Sequence, residues 1–156
     1  MTSTLKTSIS EITLNYKRKV RAEDSPKVSC SEDVYRLFRE NWDDLTINLF
    51  EEFKILLVDR SNRCLGAVVI SKGGISGTLV DPKLVFASAL KARACGLILG
   101  HNHPSGNLAP SQQDIRLTEK LMRAGSYLDL RILDHLIITD DDYTSLADND
   151  LMSFTL

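Results

Sequence analysis

The sequence has few cysteines, no long hydrophobic run and almost no net charge. Its 156 residues include three cysteines, Cys30, Cys64 and Cys95, without a Cys-x-x-Cys pair. Neither a disulfide framework nor a cysteine-based metal site is therefore indicated, and we expect reduced, mostly buried thiols. No apolar run approaches a membrane span, and the first residues lack the apolar core of a signal peptide. These absences predict a cytoplasmic protein without a membrane partner.

The charged residues are nearly balanced. Nineteen basic and 21 acidic side chains give a net charge of −2, which provides no overall attraction to phosphate backbones. The one basic cluster, at residues 17–21, is interpreted as a solvated strand end, and a local contact with nucleic acid stays open. With 43% hydrophobic residues, the chain can build one compact domain and has little left for a second.

Two of the three histidines lie two residues apart, directly after an apolar run. Residues 96–100 read Gly-Leu-Ile-Leu-Gly, which is typical of a buried strand. Because residues i and i+2 of an extended chain point to the same side, the side chains of His101 and His103 are expected to face one way. Pro104 cannot donate a hydrogen bond to a sheet, so the chain is expected to leave the strand there.

An acidic residue follows at the start of a predicted helix. Ser111 is a typical helix N-cap, and apolar residues recur at helical spacing over residues 112–124. Asp114 then lies in the first turn, where it could simply complete a capping box. It could also join His101 and His103 around one metal ion and leave a fourth position for water, as a catalytic zinc ion requires. The coincidence of these features favours metal binding.

Hydrolysis by such a site needs a general base, and two acids stand upstream in a predicted strand. Residues 50–59 alternate so that Phe53 lies on one face and Glu52 on the other. Glu51 shares the face of Phe53, where partial desolvation would raise its proton affinity toward the range of a general base. Glu52 is expected to point to solvent. A solvated strand end is the alternative for either acid.

These residues resemble a known signature in their order and spacing. The series Glu51, His101-x-His103-Pro and Ser111-x-x-Asp114 is similar to the JAMM (MPN+) metalloprotease motif. The strings His-Asn-His-Pro-Ser-Gly and, at 133–138, Leu-Asp-His-Leu-Ile-Ile resemble the bacterial RadC-like branch of that superfamily. The resemblance covers roughly residues 30–150.

The resemblance implies a fold, a cofactor and a chemistry. The fold is a single α/β domain of the JAB/MPN, cytidine-deaminase-like type, with a mixed, curved sheet flanked by helices. One Zn²⁺ per chain would be bound by His101, His103 and Asp114. Glu51 would act as the general acid and base, and the Ser111 hydroxyl would help to hold an oxyanion. A peptide or protein substrate and a homodimer are further expectations, and the family name carries an association with DNA repair.

The rest of the chain predicts a scaffold of alternating strands and helices. A strand at residues 10–20 and a linker form a predicted N-terminal segment, 1–29, ahead of a RadC-like domain over 30–156. Ser31 is expected to cap a helix that ends near Trp42. Further elements are predicted as a hairpin of strands at 50–59 and 65–71, a helix at 82–94 capped by Asp81, a strand at 130–139 and a short terminal element at 143–150.

Two residues of the last long strand stay outside the predicted ligand set. His135 is interpreted as a hydrogen-bonded structural residue, on the opposite face of the strand from Asp134. Asp134 could orient one of the ligand histidines through its free ring N–H, a contact that metal sites commonly need.

Three functions are compatible with this sequence. The first is a zinc-dependent hydrolase of peptide or isopeptide bonds. The second is a metal-dependent nuclease, which the basic cluster at 17–21 and the DNA-repair association favour, although phosphodiester cleavage often uses two metal ions. The third is a non-catalytic interaction module, but such relatives usually lose ligands that this chain keeps. A non-haem iron oxygenase would leave Glu51 and Ser111 without a role.

Overall fold

The fold is organised around one five-stranded sheet. The computed structural model describes residues 8–74 and 77–154. Within them the strands are β1 (Glu52–Val58), β2 (Cys64–Lys72), β3 (Gly96–Asn102), β4 (Arg131–Ile138) and β5 (Tyr143–Ser145), and the helices are α1 (Ser31–Glu40), α2 (Pro82–Lys91) and α3 (Gln112–Ser126). The strand order is β2-β1-β3-β4-β5, with β3 and β4 parallel and the other neighbours antiparallel. This mixed sheet flanked by helices confirms the predicted α/β fold class.

Two apolar cores lie on opposite faces of the sheet. Helices α2 and α3 cover one face, on which Phe53 and Leu57 of β1 are buried. Helix α1 covers the other face, where Leu56 of β1 packs in the same cluster as Phe38. Every residue of β1 and β3 is buried, so successive side chains alternate between the two cores. This alternation decides which side chains can reach the start of α3.

The starts of the helices follow the predicted capping signals in two cases out of three. Ser111 caps α3, and Asp81 caps α2 by accepting a hydrogen bond from the backbone N–H of Lys83 at 2.9 Å. Helix α1 differs, because its N-cap is Cys30 and no side chain caps it. The predicted cap, Ser31, is the first residue of α1. Its hydroxyl donates to Asp148 at 2.5 Å, and this long-range contact replaces the local one.

The strand predicted at residues 10–20 is wrong. These residues have no regular secondary structure and are exposed; the side chains of Ile12 and Leu14 are 88% and 80% exposed. The Tyr16 hydroxyl donates to the carbonyl of Leu65 in β2 at 3.3 Å, but one side-chain contact makes no backbone ladder. An alternating pattern becomes a strand only where a second strand pairs with it. Residues 1–7 of the predicted N-terminal segment and residues 155–156 of the predicted domain lie outside the described residues. The boundary between segment and domain at residue 30 stays a prediction.

The structure bears on two features that the sequence has little of, cysteine and long apolar segments. The three cysteines are free, but Cys30 and Cys95 are exposed and only Cys64 is partly buried. The expectation of mostly buried thiols is therefore wrong, because Cys30 lies at a helix N-cap and Cys95 in the turn before β3. In the parts of the chain that the structure describes, no helix has the length and apolar character needed to cross a membrane.

Candidate metal centre

Three side chains meet where β3 ends and α3 begins. His101 belongs to β3, His103 follows directly after it, and Asp114 lies in the first turn of α3. The Nε2 atom of His101 lies 2.9 Å from Nε2 of His103 and 3.2 Å from Oδ1 of Asp114. The distance from His103 Nε2 to Asp114 Oδ2 is 3.7 Å. One ligand atom from each residue lies within 4.8 Å of the others, so the group could hold a metal ion.

These distances fit a small tetrahedral ion. With metal–ligand bonds of about 2.0–2.1 Å, neighbouring ligand atoms of a tetrahedron are about 3.3 Å apart. The separation of the two Nε2 atoms, 2.9 Å, and that of His101 Nε2 from Asp114 Oδ1, 3.2 Å, are close to that value. Two imidazole nitrogens and a carboxylate are also the protein ligands of one class of catalytic zinc site. The donor set and its spacing are therefore suited to zinc.

The proton on the His103 ring also favours a cation at this point. Nδ1 of His103 lies 2.5 Å from the backbone carbonyl oxygen of Asn107, and because a carbonyl only accepts, Nδ1 carries the proton. In the neutral ring Nε2 then presents a lone pair toward His101 and Asp114. The hydrogen bond with Asp114 raises the pKa of His103, although burial opposes the shift. A second proton on this ring would lie on Nε2, at the point where a metal ion would be bound.

Asp114 caps α3 and faces the histidines at the same time. Its Oδ2 accepts hydrogen bonds from the backbone N–H and the hydroxyl of Ser111, both at 2.7 Å, while its own backbone N–H donates to Ser111 Oγ at 3.1 Å. Burial favours the neutral acid, but the hydrogen bonds with His101, His103 and Ser111 outweigh it and hold the pKa of Asp114 well below its usual range. The capping and metal-binding interpretations are therefore compatible.

Glu51 and Ser111 line the same cavity as the three potential ligands. The cavity has a volume of about 380 Å³ and is also lined by Phe53, Thr78, Val80, Pro104, Asn107 and Leu117. Glu51 is half-buried, in agreement with its expected place at the end of the Phe53 face. The five residues predicted from the sequence are thus close together in space. The roles of Glu51 and Ser111 stay predictions.

Comparison with known proteins places this site in a family. A model of the RadC-like JAB domain matches residues 28–151. The chain belongs to this family. It is 46% identical to a UPF0758 protein of Flavobacterium johnsoniae over 134 residues, 84% of this chain and 57% of that protein. A UPF0758 protein of Thermosynechococcus vestitus is 44% identical over 105 residues, which are 67% of this chain and 42% of that protein. A UPF0758 protein of Methanosarcina mazei is 40% identical over 126 residues, which are 81% of this chain and 54% of that protein. The chain spans about half the length of these curated relatives.

In this RadC-like JAB domain the two adjacent acids face opposite sides of the sheet. Glu52 is only 2% exposed, so the expectation that it points to solvent is wrong. Its carboxylate lies 3.5 Å from the ammonium group of Lys54 and accepts a hydrogen bond from the Thr46 hydroxyl at 3.2 Å. These contacts lie on the α1 side of the sheet, where a charged pair offsets the cost of burying either charge. Glu51 is therefore the acid of this pair that is near the histidines.

The interpretation of His135 as a hydrogen-bonded structural residue is confirmed, but sequence reasoning missed its contact with a predicted ligand. His135 is completely buried, with Nε2 only 2.8 Å from Nδ1 of His101. Burial and the neighbouring His101 ring lower the pKa of His135 well below its usual value. The predicted orienting role of Asp134 is wrong, because its carboxylate accepts from Ser145 Oγ at 2.7 Å and from the backbone N–H of Ala147 at 3.1 Å. The contact with His101 depends on the pairing of β3 with β4, for which the local sequence has no signal.

Asn102, between the two histidines, holds the backbone on either side of Glu51. Its Nδ2 donates to the carbonyls of Ile47 and Phe50 at 2.6 and 2.7 Å. Its Oδ1 accepts from the backbone N–H of Glu52 at 2.7 Å. The sequence did contain a signal for the position of Asn102. Because His101 and His103 share one face of the strand, the side chain of Asn102 must point to the other face.

We expect Asn102→Asp to destabilise the domain strongly. The substitution keeps the size of the side chain but removes both N–H donors and places a carboxylate against two carbonyl oxygens. Leaving a buried acceptor without its donor costs about 1–3 kcal/mol, so the free energy of unfolding should fall by at least that amount in a denaturant titration. Asn62→Asp, at an exposed turn position, is the matched control and should change stability by less than about 0.5 kcal/mol. Equal stabilities of the two variants would contradict this account of Asn102.

Proposed function

We propose that this chain is a zinc-dependent hydrolase of amide bonds whose substrates are peptides or isopeptide-linked proteins. The observation that carries the proposal is the convergence of His101, His103 and Asp114 on one point of a cavity that Glu51 and Ser111 also line. Membership of the RadC-like JAB family supports it, because the order of these five residues matches the metalloprotease signature to which the sequence is similar.

Each residue around the cavity has a role in this proposal. A zinc ion bound by the three ligands would supply the Lewis acidity that makes a water molecule a nucleophile at neutral pH. The Glu51 carboxylate takes the proton of the water and delivers it to the leaving amine nitrogen. The Ser111 hydroxyl donates a hydrogen bond to the oxyanion that forms on the substrate carbonyl. Because Asp114 Oδ2 also accepts from the backbone N–H of Ser111, the hydroxyl can turn to the oxyanion while Asp114 keeps a donor.

Charge and ligand number favour an amide over a phosphodiester substrate. The net charge of −2 provides no overall attraction to a polyanion. The described residues contain one group of potential metal ligands, whereas phosphodiester cleavage often uses two metal ions. The basic residues at 17–21 are exposed in the N-terminal segment, so a nuclease is the second outcome that the experiment must separate. The homodimer, the cytoplasmic location and a part in DNA repair stay predictions.

Elemental analysis followed by an activity screen tests the proposal. We expect about one zinc ion per chain after purification without chelators. The wild-type protein and Glu51→Ala should then be compared on peptide, isopeptide-linked, single-stranded DNA and duplex DNA substrates. Cleavage of an amide substrate by the wild type alone supports the proposal. Cleavage only of DNA would favour the nuclease, and stoichiometric zinc without any cleavage would favour a binding module.

Ser111→Ala is expected to act on both stability and rate. Losing the N-cap should cost about 1 kcal/mol of stability, and losing the oxyanion donor should slow hydrolysis, by up to roughly 10²–10³-fold. Asp81→Ala is the matched control, because it removes the cap of α2 and its side chain does not line the cavity. It should cost a similar stability in thermal unfolding and leave the rate constant unchanged. Equal rates for the two variants would rule out a chemical role of Ser111.

A further inference from the structure

A continuous series of hydrogen bonds leads from α3 to the metal centre. The Thr118 hydroxyl donates to the backbone carbonyl of Asp114 at 2.7 Å. Oγ1 of Thr118 also lies 2.6 Å from Nδ1 of His135, and Nε2 of His135 lies 2.8 Å from Nδ1 of His101. Thr118 and His135 are both completely buried. Water therefore does not compete for any of these contacts.

The positions of the protons in this series follow from what each atom can do. The carbonyl of Asp114 has no proton, so the single hydroxyl proton of Thr118 must lie in that contact. The ring of His135 therefore supplies the proton between Nδ1 and Thr118. A neutral imidazole has only one ring proton, which leaves Nε2 of His135 as an acceptor. The proton of the last contact then comes from Nδ1 of His101.

His135 is held in the neutral form by its surroundings. Its two ring nitrogens contact only the Thr118 hydroxyl and the His101 imidazole, so neither nitrogen meets a negative charge. The ring of Phe53 packs edge-on against His135 and parallel to His101, with centroids 5.6 and 6.1 Å apart. A second proton on His135 would therefore be an uncompensated buried charge.

We infer that Thr118 and His135 are positioning residues that fix His101 in the tautomer with its proton on Nδ1, so that Nε2 presents a bare lone pair to the metal. The inference deepens the proposed function and rests on it for the identity of the metal. Neutral histidine in water prefers the opposite tautomer, with the proton on Nε2, which cannot bind a metal through that atom. The contact at the other ring nitrogen therefore selects the ligating form.

The same series of hydrogen bonds connects two of the potential ligands, Asp114 and His101. Asp114 offers its carboxylate to the metal and its backbone carbonyl to Thr118. The first turn of α3 thus holds one ligand directly and orients another through two intermediate side chains. For His103 the backbone carbonyl of Asn107 does the same in one step. Both histidine ligands thereby have Nδ1–H fixed, and their Nε2 atoms face each other and Asp114, where a metal ion would lie.

The tautomers can be measured in the metal-free full chain by long-range proton–nitrogen NMR correlation, at a pH well above the usual histidine pKa. We expect Nδ1–H for both His101 and His135 in the wild type. In Thr118→Val, His135 loses the acceptor for its Nδ1 proton and should move to the Nε2–H form, which then forces His101 out of the ligating tautomer. Thr118→Ser, which keeps the hydroxyl, is the matched control and should retain the wild-type spectrum.

Zinc affinity, measured by competition with a chromophoric chelator, is the second readout. Loss of a contact that orients a ligand lowers metal affinity by about 10–100-fold, so we expect this decrease for Thr118→Val and no decrease for Thr118→Ser. His135→Gln should lose less affinity than His135→Leu, because the amide oxygen of Gln can still accept from His101. An unchanged affinity in Thr118→Val and His135→Leu would overturn the inference.

The two proposals fail in different ways. If the wild type shows Nδ1–H on His101 but binds no zinc, the proposed function is wrong and the tautomer assignment is supported. If the wild type binds zinc but its metal-free spectrum shows Nε2–H on His101, the inference is overturned and the metal site stands. The wild-type spectrum alone decides the tautomer, so the test remains decisive if the variants do not fold.

Discussion

Glu51→Gln should keep its zinc and lose most of its hydrolytic activity. The amide has the size of the carboxylate but cannot accept a proton from the water, and general acid–base groups contribute roughly 10²–10⁴-fold to a rate. Because Glu51 lines the cavity without belonging to the potential ligand group, metal content should stay at one equivalent. The measurement is the rate constant on the amide substrate identified in the screen, together with zinc content of the same sample.

Glu52→Gln is the matched control, since it makes the same change one residue away. It removes the negative charge that faces the buried Lys54 ammonium group, so the protein should unfold at a lower temperature, because breaking a buried pair leaves one charge uncompensated. Its rate constant per folded molecule should stay near that of the wild type. A fully active Glu51→Gln together with an inactive Glu52→Gln would refute the choice between the acids.

His103→Ala should lose tight zinc binding and the stability that zinc provides. A ligand present at about 1,000 times its dissociation constant stabilises the native state by about 4 kcal/mol. For a domain of this size, 1 kcal/mol corresponds to about 2–4 °C in the melting temperature. The wild type should therefore melt on the order of 10 °C higher with saturating zinc than with a chelator, and His103→Ala should show little of this difference.

The chelated wild type is the control for this experiment. His103 lies at the edge of the site, with about 15% of its side chain exposed, so its removal should cost little stability once zinc is absent. The melting temperatures of the variant and of the chelated wild type should then be similar. Stoichiometric zinc in His103→Ala with unchanged thermal stability would show that the ligand assignment is wrong.

Local patterns were enough to predict most of the scaffold. The apolar run at 96–100 became β3, the signals at Asp81 and Ser111 became helix starts, and the alternation around Phe53 became β1. Each depends on backbone periodicity or on a hydrogen bond within a few residues, which the sequence contains in full. The prediction at residues 10–20 failed because alternation alone does not pair a segment with a sheet: the segment contacts the edge strand β2 through the Tyr16 side chain and forms no backbone ladder with it.

The site was predictable to the extent that its residues lie on one stretch of chain. His101, His103 and Asp114 are brought together by one strand end, one loop and one helix start, so their spacing in sequence carried the geometry. Glu51 was found through strand alternation and the family resemblance. The burial of Glu52 was not predicted. Strand alternation predicts on which face of the sheet a side chain lies, but not whether a helix covers that face.

The sequence by itself determined the α/β class, the potential ligand set and the caps of α2 and α3, because short-range periodicity and capping chemistry fix these features. Only the tertiary structure decided what surrounds the ligands. The parallel pairing of β3 with β4 places His135 beside His101, and the packing of α3 on that sheet brings Thr118 to the other side of the ring. Such contacts join residues 17 and 34 positions apart, and no local propensity encodes which elements become neighbours in the folded chain.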